Sequence, residues 1–91
     1  MQKIVLYGAG QNCKHALERI KKYYSDTIQV KGLIDKNKEG NIFGEKLLRK
    51  QEYSIEDIIV ITIGARKTVA QVFEELERSG FSRVFFPPHL R

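Results

Sequence analysis

The sequence predicts a small α/β domain built on a mostly parallel sheet, and three observations lead to this prediction. Apolar, β-branched runs alternate along the chain with stretches of helical periodicity. The turn Gly8-Ala9-Gly10 follows the first apolar run and precedes the first helical stretch. An acidic residue, Asp35, closes the second apolar run. With no internal repeat and no linker, the chain is expected to form a single domain over residues 1–91.

The first half of the chain is predicted to fold as a strand, a helix and a second strand. Residues 3–7 form a short apolar run that is typical of a buried strand. Apolar residues recur at helical spacing over residues 11–24, with Lys and Arg between them. Residues 28–34, interrupted by Gly32, predict the second strand, and the polar residues 35–41 predict a loop.

A short third strand is predicted near residues 46–48. Residues 49–57, which connect it to the next strand, are fewer than the dozen or so that usually join two parallel strands. Within this connection, residues 54–57 predict one helical turn at most. The third strand is therefore expected to be short, and its direction stays open.

The last part of the chain predicts a strand, a helix and a final strand. Residues 58–63 are the most β-branched run, which is typical of a central strand buried on both faces. Apolar residues at helical spacing from 69 to 76 predict the second helix, with Gly80 at a left-handed C-terminal cap. Residues 84–86 predict the last strand, which the proline pair 87–88 ends.

The alternation of strands and helices predicts the strand order 3-2-1-4-5, with helices on both faces of the sheet. Strands 1 and 4 are then neighbours whose connections leave toward opposite faces, and a crevice opens above their carboxyl ends. The turn at residues 8–10 and the turn at residues 62–65 are expected to face each other across this crevice. A ligand site is therefore expected at this edge of the sheet.

The glycines of the first turn favour a phosphate ligand. Gly8 permits a tight bend, and Gly10 lets the backbone approach a phosphate at the helix N-terminus. Cys13 stands where dinucleotide-binding turns carry a third glycine or alanine. Because Cys13 is in phase with the apolar residues of the helix, it is expected to be buried rather than to act as a nucleophile with His15. A plain strand-to-helix turn is the alternative for this segment.

Asp35 follows the glycine turn at roughly the expected distance along the chain. Dinucleotide-binding sites carry a carboxylate for the ribose hydroxyls about 20 residues after their glycine motif. A carboxylate here repels a 2′-phosphate and so favours NAD over NADP, although Lys36 and Lys38 weaken that preference. The alternative is that Asp35 only begins a turn.

Two cations, Arg66 and Lys67, stand at the start of the second helix. There they oppose the helix dipole, at a cost of roughly 0.3–1 kcal/mol each. A bound anion would reverse this effect, so Arg66 is expected to contact a diphosphate or carboxylate. The alternative is that both side chains extend into water.

Composition limits the classes of function. No apolar run approaches the ~20 residues of a membrane span, and a single cysteine excludes an internal disulfide framework. Because the first strand leaves no room for a signal peptide, a cytoplasmic location is expected. The net charge of +5 is not accompanied by any nucleic-acid-binding motif, so nucleic acid is not predicted as a partner. No metal-ligand set and no catalytic residue is predicted.

Four segments, taken in order, resemble a known group of domains: VLYGAGQN (5–12), GLID (32–35), IFG (42–44) and IVITIG (59–64). Together they are similar to the small Rossmann-like N-terminal domains of bacterial glycan-synthesis enzymes. These include sugar O- and N-acyltransferases and membrane-linked nucleotide-sugar epimerase/dehydratases. The resemblance covers residues 3–86. Similarity to the acyltransferase branch implies that the domain binds a UDP-amino-sugar, with the acyl donor held by a separate β-helix domain.

The motifs and the resemblance together give one predicted set of nucleotide-binding residues. The set comprises Gly8, Ala9, Gly10, Gln11, Asp35, Lys36, Thr62, Gly64, Ala65 and Arg66.

Three functions are compatible with these observations. The leading hypothesis is a nucleotide-binding module, for a UDP-sugar or NAD, in bacterial polysaccharide biosynthesis. Catalysis would then lie on a fused or separate domain, as part of a transferase or a nucleotide-sugar-modifying enzyme. One alternative is a structural or interaction domain that keeps the fold and binds no nucleotide. The other is half of an NAD-dependent oxidoreductase.

Overall fold

The computed structural model describes residues 2–86 and contains one main parallel sheet, two helices and one small hairpin. In chain order the elements are β1 (Gln2–Tyr7), α1 (Gln11–Tyr23), β2 (Ile28–Ile34), β3 (Asn41–Ile42), β4 (Glu45–Lys46), a 3-10 turn (Lys50–Glu52), β5 (Ile58–Ile61), α2 (Arg66–Arg78) and β6 (Val84–Phe85). The main sheet has the order β2-β1-β5-β6, and all its strands are parallel. The predicted proline stop at 87–88 lies outside the described residues.

One helix packs on each face of the sheet. The alternation of side chains along β1 directs Ile4 and Leu6 toward α1, and Val5 and Tyr7 toward α2. Against these residues, α1 contributes Cys13, Ala16 and Leu17, and α2 contributes Val72 and Leu76. The helices predicted from the apolar periodicity are thus confirmed, and so is their placement on opposite faces.

The burial of β5 differs from the prediction. Ile59 and Ile61 are fully buried on the α2 face, but Ile58 and Val60 on the other face are only half-buried. The expectation of a strand buried on both faces is therefore wrong for one of them. The reason is that α1 packs mainly over β1 and β2 and leaves this part of β5 partly open.

Gly80 ends α2 as predicted. Its φ is +95°, its N–H donates to the Glu77 carbonyl at 3.0 Å, and the next N–H, from Phe81, donates to the Leu76 carbonyl at 2.9 Å. This pair of hydrogen bonds is the Schellman arrangement, in which a glycine accepts the left-handed conformation without a Cβ clash.

The predicted third strand takes a different form. β3 and β4 pair antiparallel around Phe43 and Gly44, whose φ values of +54° and +81° are typical of a two-residue hairpin turn. The hairpin joins the main sheet through a single parallel bridge between Leu33 and Leu47. The main sheet therefore has four strands, and the fifth position of the expected order 3-2-1-4-5 is not a continuous strand.

Gly32 allows the chain after the hairpin to pack closely on β2. A Cβ at this position would lie 2.6 Å from Leu48 Cγ and 2.9 Å from the Lys46 carbonyl oxygen. Gly32 also lies at a shift in the register between β1 and β2, where Ile4 pairs with Val30 but the next residue, Val5, pairs with Gly32. The glycine that interrupts the second apolar run is thus explained by a close approach of backbone.

None of the helices within residues 2–86 combines the length and the apolar character needed to cross a bilayer.

We expect Gly32→Ala to lower the free energy of unfolding by about 1–3 kcal/mol, because the new methyl group overlaps Leu48 and a backbone carbonyl. Gly10→Ala is the matched control, since a Cβ at Gly10 meets nothing within 4 Å. Urea unfolding of both variants measures the difference. Equal stability of the two variants would contradict the close packing at Gly32.

Candidate functional site

The turns that follow β1 and β5 are in direct contact at the carboxyl edge of the sheet. The Thr62 N–H donates to the Tyr7 carbonyl at 2.9 Å, and Thr62 Oγ1 donates to the Gly8 carbonyl at 2.7 Å. The Thr62 side chain is buried, with only 2% of the residue exposed. The two turns that the sequence predicted to face each other therefore lie side by side.

Gly8 makes this contact possible. Its φ is +111°, and a Cβ would lie 2.6 Å from Ile63 Cγ1 and 3.3 Å from the Thr62 carbonyl carbon. Both the backbone conformation and the lack of space exclude a larger residue. Gly8 thus provides the tight bend that the sequence predicts, and it also lets the two turns pack together.

The N-termini of α1 and α2 lie next to each other at this edge, since the helices follow neighbouring parallel strands. Gly10 and Ala65 are the N-cap residues, neither side chain caps its helix, and neither first turn contains an acidic residue. The first N–H groups of each helix have no acceptor among residues 2–86. Each N-terminus therefore presents free amide hydrogens and the positive end of a helix dipole.

A cleft of about 380 Å³ lies between the two turns. Its lining consists of Gly10, Gln11, Asn12, Asp35, Thr62, Ile63 and Gly64. The volume is near the lower end of the range for small-molecule sites, which fits a diphosphate group better than a whole dinucleotide. At Gly10 a Cβ would point into open space, so no packing contact requires this glycine.

The Asp35 carboxylate already binds two backbone amides. Oδ2 accepts a hydrogen bond from the Ala9 N–H at 2.9 Å, and Oδ1 accepts one from the Asn37 N–H at 2.9 Å. The second bond forms the turn that was the alternative interpretation of Asp35. Because each carboxylate oxygen has two lone pairs, one acceptor site per oxygen remains for a ligand hydroxyl.

Asp35 also separates two clefts. Beyond it, toward the hairpin, a polar cleft of about 790 Å³ is lined partly by Lys38, Lys46, Leu48 and Arg49. Asp35 is the residue that lines both this cleft and the smaller one. The two clefts therefore adjoin at the Asp35 carboxylate.

Five of the predicted residues lie outside the lining of the smaller cleft: Gly8, Ala9, Lys36, Ala65 and Arg66. Ala9 is buried, and its N–H donates to the Asp35 carboxylate. Lys36 Nζ lies 3.1 Å from Glu75 Oε2 on α2, and this hydrogen bond raises the pKa of Lys36. Ala65 and Arg66 are exposed at the start of α2, and Arg66 forms no ion pair within residues 2–86. Arg66 is thus near the free amides of α2, whereas Lys36 is directed toward the α2 face of the sheet.

Cys13 is fully buried and packs in the cluster between α1 and the sheet. Burial raises the pKa of the Cys13 thiol to about 11, so the thiol is protonated near neutral pH. Cys13 does not line the smaller cleft. The expectation that it is a packing residue is confirmed, and its place at the position of a third glycine does not obstruct the cleft.

Asn12 lines the cleft although the predicted set did not include it. A Cβ at Gly64 would lie 2.9 Å from Asn12 Nδ2, which places the Asn12 amide directly over the second turn. In the sequence, the signal for this contact is an amide side chain, Asn12, in the first turn of α1 together with Gly64 after β5. The Asn12 amide is a hydrogen-bond donor at the mouth of the cleft.

No group of three His, Cys, Asp or Glu residues within the described part of the chain is arranged to hold a metal ion. Comparison with protein-family models, with curated proteins and with solved structures found no match.

Replacing Thr62 tests the contact between the two turns. Thr62→Val keeps the shape of the side chain but leaves the buried Gly8 carbonyl without its hydroxyl donor, so we expect a loss of about 1–3 kcal/mol in unfolding free energy. Thr68→Val, at an exposed position on α2, is the control and should change stability little. Equal effects in urea unfolding would show that the Thr62 hydroxyl does not hold the turns together.

Proposed function

We propose that this chain is a Rossmann-like nucleotide-binding module that holds the diphosphate of a UDP-sugar or of NAD. One observation carries the proposal: a single cleft is lined by the uncapped N-terminus of α1 and by the turn 62–64, which leads to the uncapped N-terminus of α2, and neither first helical turn contains an acidic residue. Free amide hydrogens at a helix N-terminus form a ready anion site, and here two such ends lie together.

Electrostatics supports an anionic ligand. Each helix N-terminus is equivalent to about half a positive charge. Arg66 adds a full charge at the start of α2, where a bound anion would turn its unfavourable interaction with the dipole into a favourable one. A diphosphate has enough oxygens to accept hydrogen bonds from the amides of both turns.

The position of the cleft in the fold also supports a nucleotide. β1 continues into α1 on one face of the sheet, and the neighbouring β5 continues into α2 on the other face. Ligands of open parallel sheets bind at such a switch point, above the carboxyl ends of the strands. The cleft lies at this point, between Gly10 and Gly64.

Asp35 orients the nucleoside in this proposal. Its free lone pairs accept hydrogen bonds from ribose hydroxyls, and the nucleoside extends into the larger cleft beside the hairpin. The negative charge of Asp35 repels a 2′-phosphate, which favours NAD over NADP.

Catalysis is assigned to another domain, fused or separate. Among residues 2–86, Asp35 is the one ionisable group that lines the smaller cleft, and its oxygens already bind two backbone amides. The resemblance of the sequence motifs to N-terminal domains of glycan-synthesis enzymes favours a transferase or a nucleotide-sugar-modifying enzyme of polysaccharide biosynthesis.

A structural or interaction domain that binds no nucleotide is the second candidate. The observation that favours it is the use of Asp35 within the fold, because a turn-forming carboxylate needs no ligand to explain its presence.

Calorimetric titration separates the candidates, using UDP, UDP-N-acetylglucosamine, NAD, NADH and S-adenosylmethionine. The proposal predicts binding of UDP compounds or of NAD. Selective binding of NADH would instead indicate half of an oxidoreductase. No binding by any of the five compounds would contradict the proposal and favour the structural domain.

Two variants then test the site. Gly10→Ala adds a methyl group next to the cleft without a clash inside the protein, so it should weaken binding about tenfold or more and lower the unfolding free energy by about 1 kcal/mol at most. Arg66→Ala should weaken binding severalfold while the melting temperature stays the same or rises. Arg83→Ala, which removes an exposed arginine outside the cleft, is the matched control. Unchanged affinity in both site variants would contradict this placement of the ligand.

A further inference from the structure

The sheet face that carries α1 is covered only in part. α1 packs against β1 and β2, where Leu6 and Leu33 are fully buried. Farther along the same face, Val60 of β5 is half-buried and Phe85 of β6 is 54% exposed. Parallel sheets normally have both faces covered by helices. Within residues 2–86, the other helix, α2, lies on the opposite face and leaves this half open.

An apolar groove of about 590 Å³ runs between α1 and the open strands. Residues of β1, β5, β6 and α1 form its floor and walls: Ile4, Leu6, Val60, Phe85, Ala16 and Ile20. Arg19, on α1, is the one charged side chain in the lining. An exposed aromatic ring beside a formed apolar groove is typical of a binding surface.

The α1 side of the groove is positively charged. Arg19 also lines an adjacent cleft, where Arg19 and Lys22 stand against a single carboxylate, Glu18. Both cations lie over the ring of Tyr23, at 5.9 Å and 5.3 Å from its centroid. Neither forms a salt bridge with another residue of the described segment 2–86. A partner in the groove would therefore meet cations along one edge.

We propose that this groove docks an amphipathic α-helix of a partner, with an apolar ridge on Val60 and Phe85 and acidic residues facing Arg19 and Lys22. A helix is the element that covers a parallel sheet, and the open face lies alongside α1, where a second helix would pack. The cationic edge selects acidic flanks on that helix.

Charge disfavours a second copy of this chain as the occupant. A two-fold contact brings the same surface of both copies together, so the Arg19 and Lys22 cations of both copies would lie in one interface. The chain already has a net charge of +5, and such a contact would add repulsion between like charges.

The test is selection from a displayed library of amphipathic helices about as long as α1, in which the flanking positions vary among Glu, Lys and Gln. The full 91-residue chain is the target. The proposal predicts enrichment of helices with acidic flanks. Their affinity should fall about tenfold or more with Phe85→Ser and severalfold with Arg19→Glu. Ile55→Ser, at a 52% exposed apolar residue outside the groove, is the control.

In the selection experiment, three results would overturn the proposal: no enrichment, enrichment of basic or neutral flanks, or binding that Phe85→Ser leaves unchanged. Sedimentation of the full chain tests whether a second copy of this chain occupies the groove. A dimer that Phe85→Ser dissociates would identify the occupant as another copy of this chain and would also contradict the proposal. The smaller cleft at the carboxyl edge of the sheet shares no lining residue with the groove, so Phe85→Ser should leave nucleotide binding unchanged. This control distinguishes loss of the groove surface from loss of the fold.

Discussion

The contact between the end of β1 and the end of β5 is the constraint on which the candidate site depends. The buried Thr62 hydroxyl donates to the Gly8 carbonyl, and the absence of a Cβ at Gly8 lets Ile63 approach. This contact holds together the turns that lead into α1 and α2, and residues of both turns line one cleft. A hydroxyl and a glycine, both inside the fold, thus position the two turns that form the candidate site.

The distribution of charge is consistent with this geometry. Carboxylates pair with lysines at several places: Asp57 with Lys31, Glu52 with Lys46 and Glu75 with Lys36. The first turns of both helices, where a carboxylate would be favourable, contain none. Exposed ion pairs contribute only about 0–1 kcal/mol each, so these pairs matter little for stability. Among residues 2–86, Asp35 is the one carboxylate that lines the smaller cleft.

Signals that act over short distances along the chain were sufficient to predict the helices, the four parallel strands and the Gly80 cap. Long-range contacts were not predictable in this way. The Lys36–Glu75 ion pair joins residues far apart in sequence. It directs the Lys36 side chain, which was predicted to contact the ligand, toward α2. The hairpin depends on Phe43 at positive φ, a conformation that its residue type does not signal. The open half of the α1 face depends on which strands each helix covers, and the periodicity of a helix does not specify that.

Titration of the isotopically labelled chain with inorganic pyrophosphate, followed by the chemical shifts of backbone amides, tests the central claim most directly. If the two helix N-termini form one anion site, the amides of 10–13 and 64–68 shift together and give the same dissociation constant. The lysine-rich end of α1 then shows only weak changes that added salt removes. Shifts confined to one turn, or found only at exposed lysines, would contradict the account, because two ends that bind independently do not form a common site.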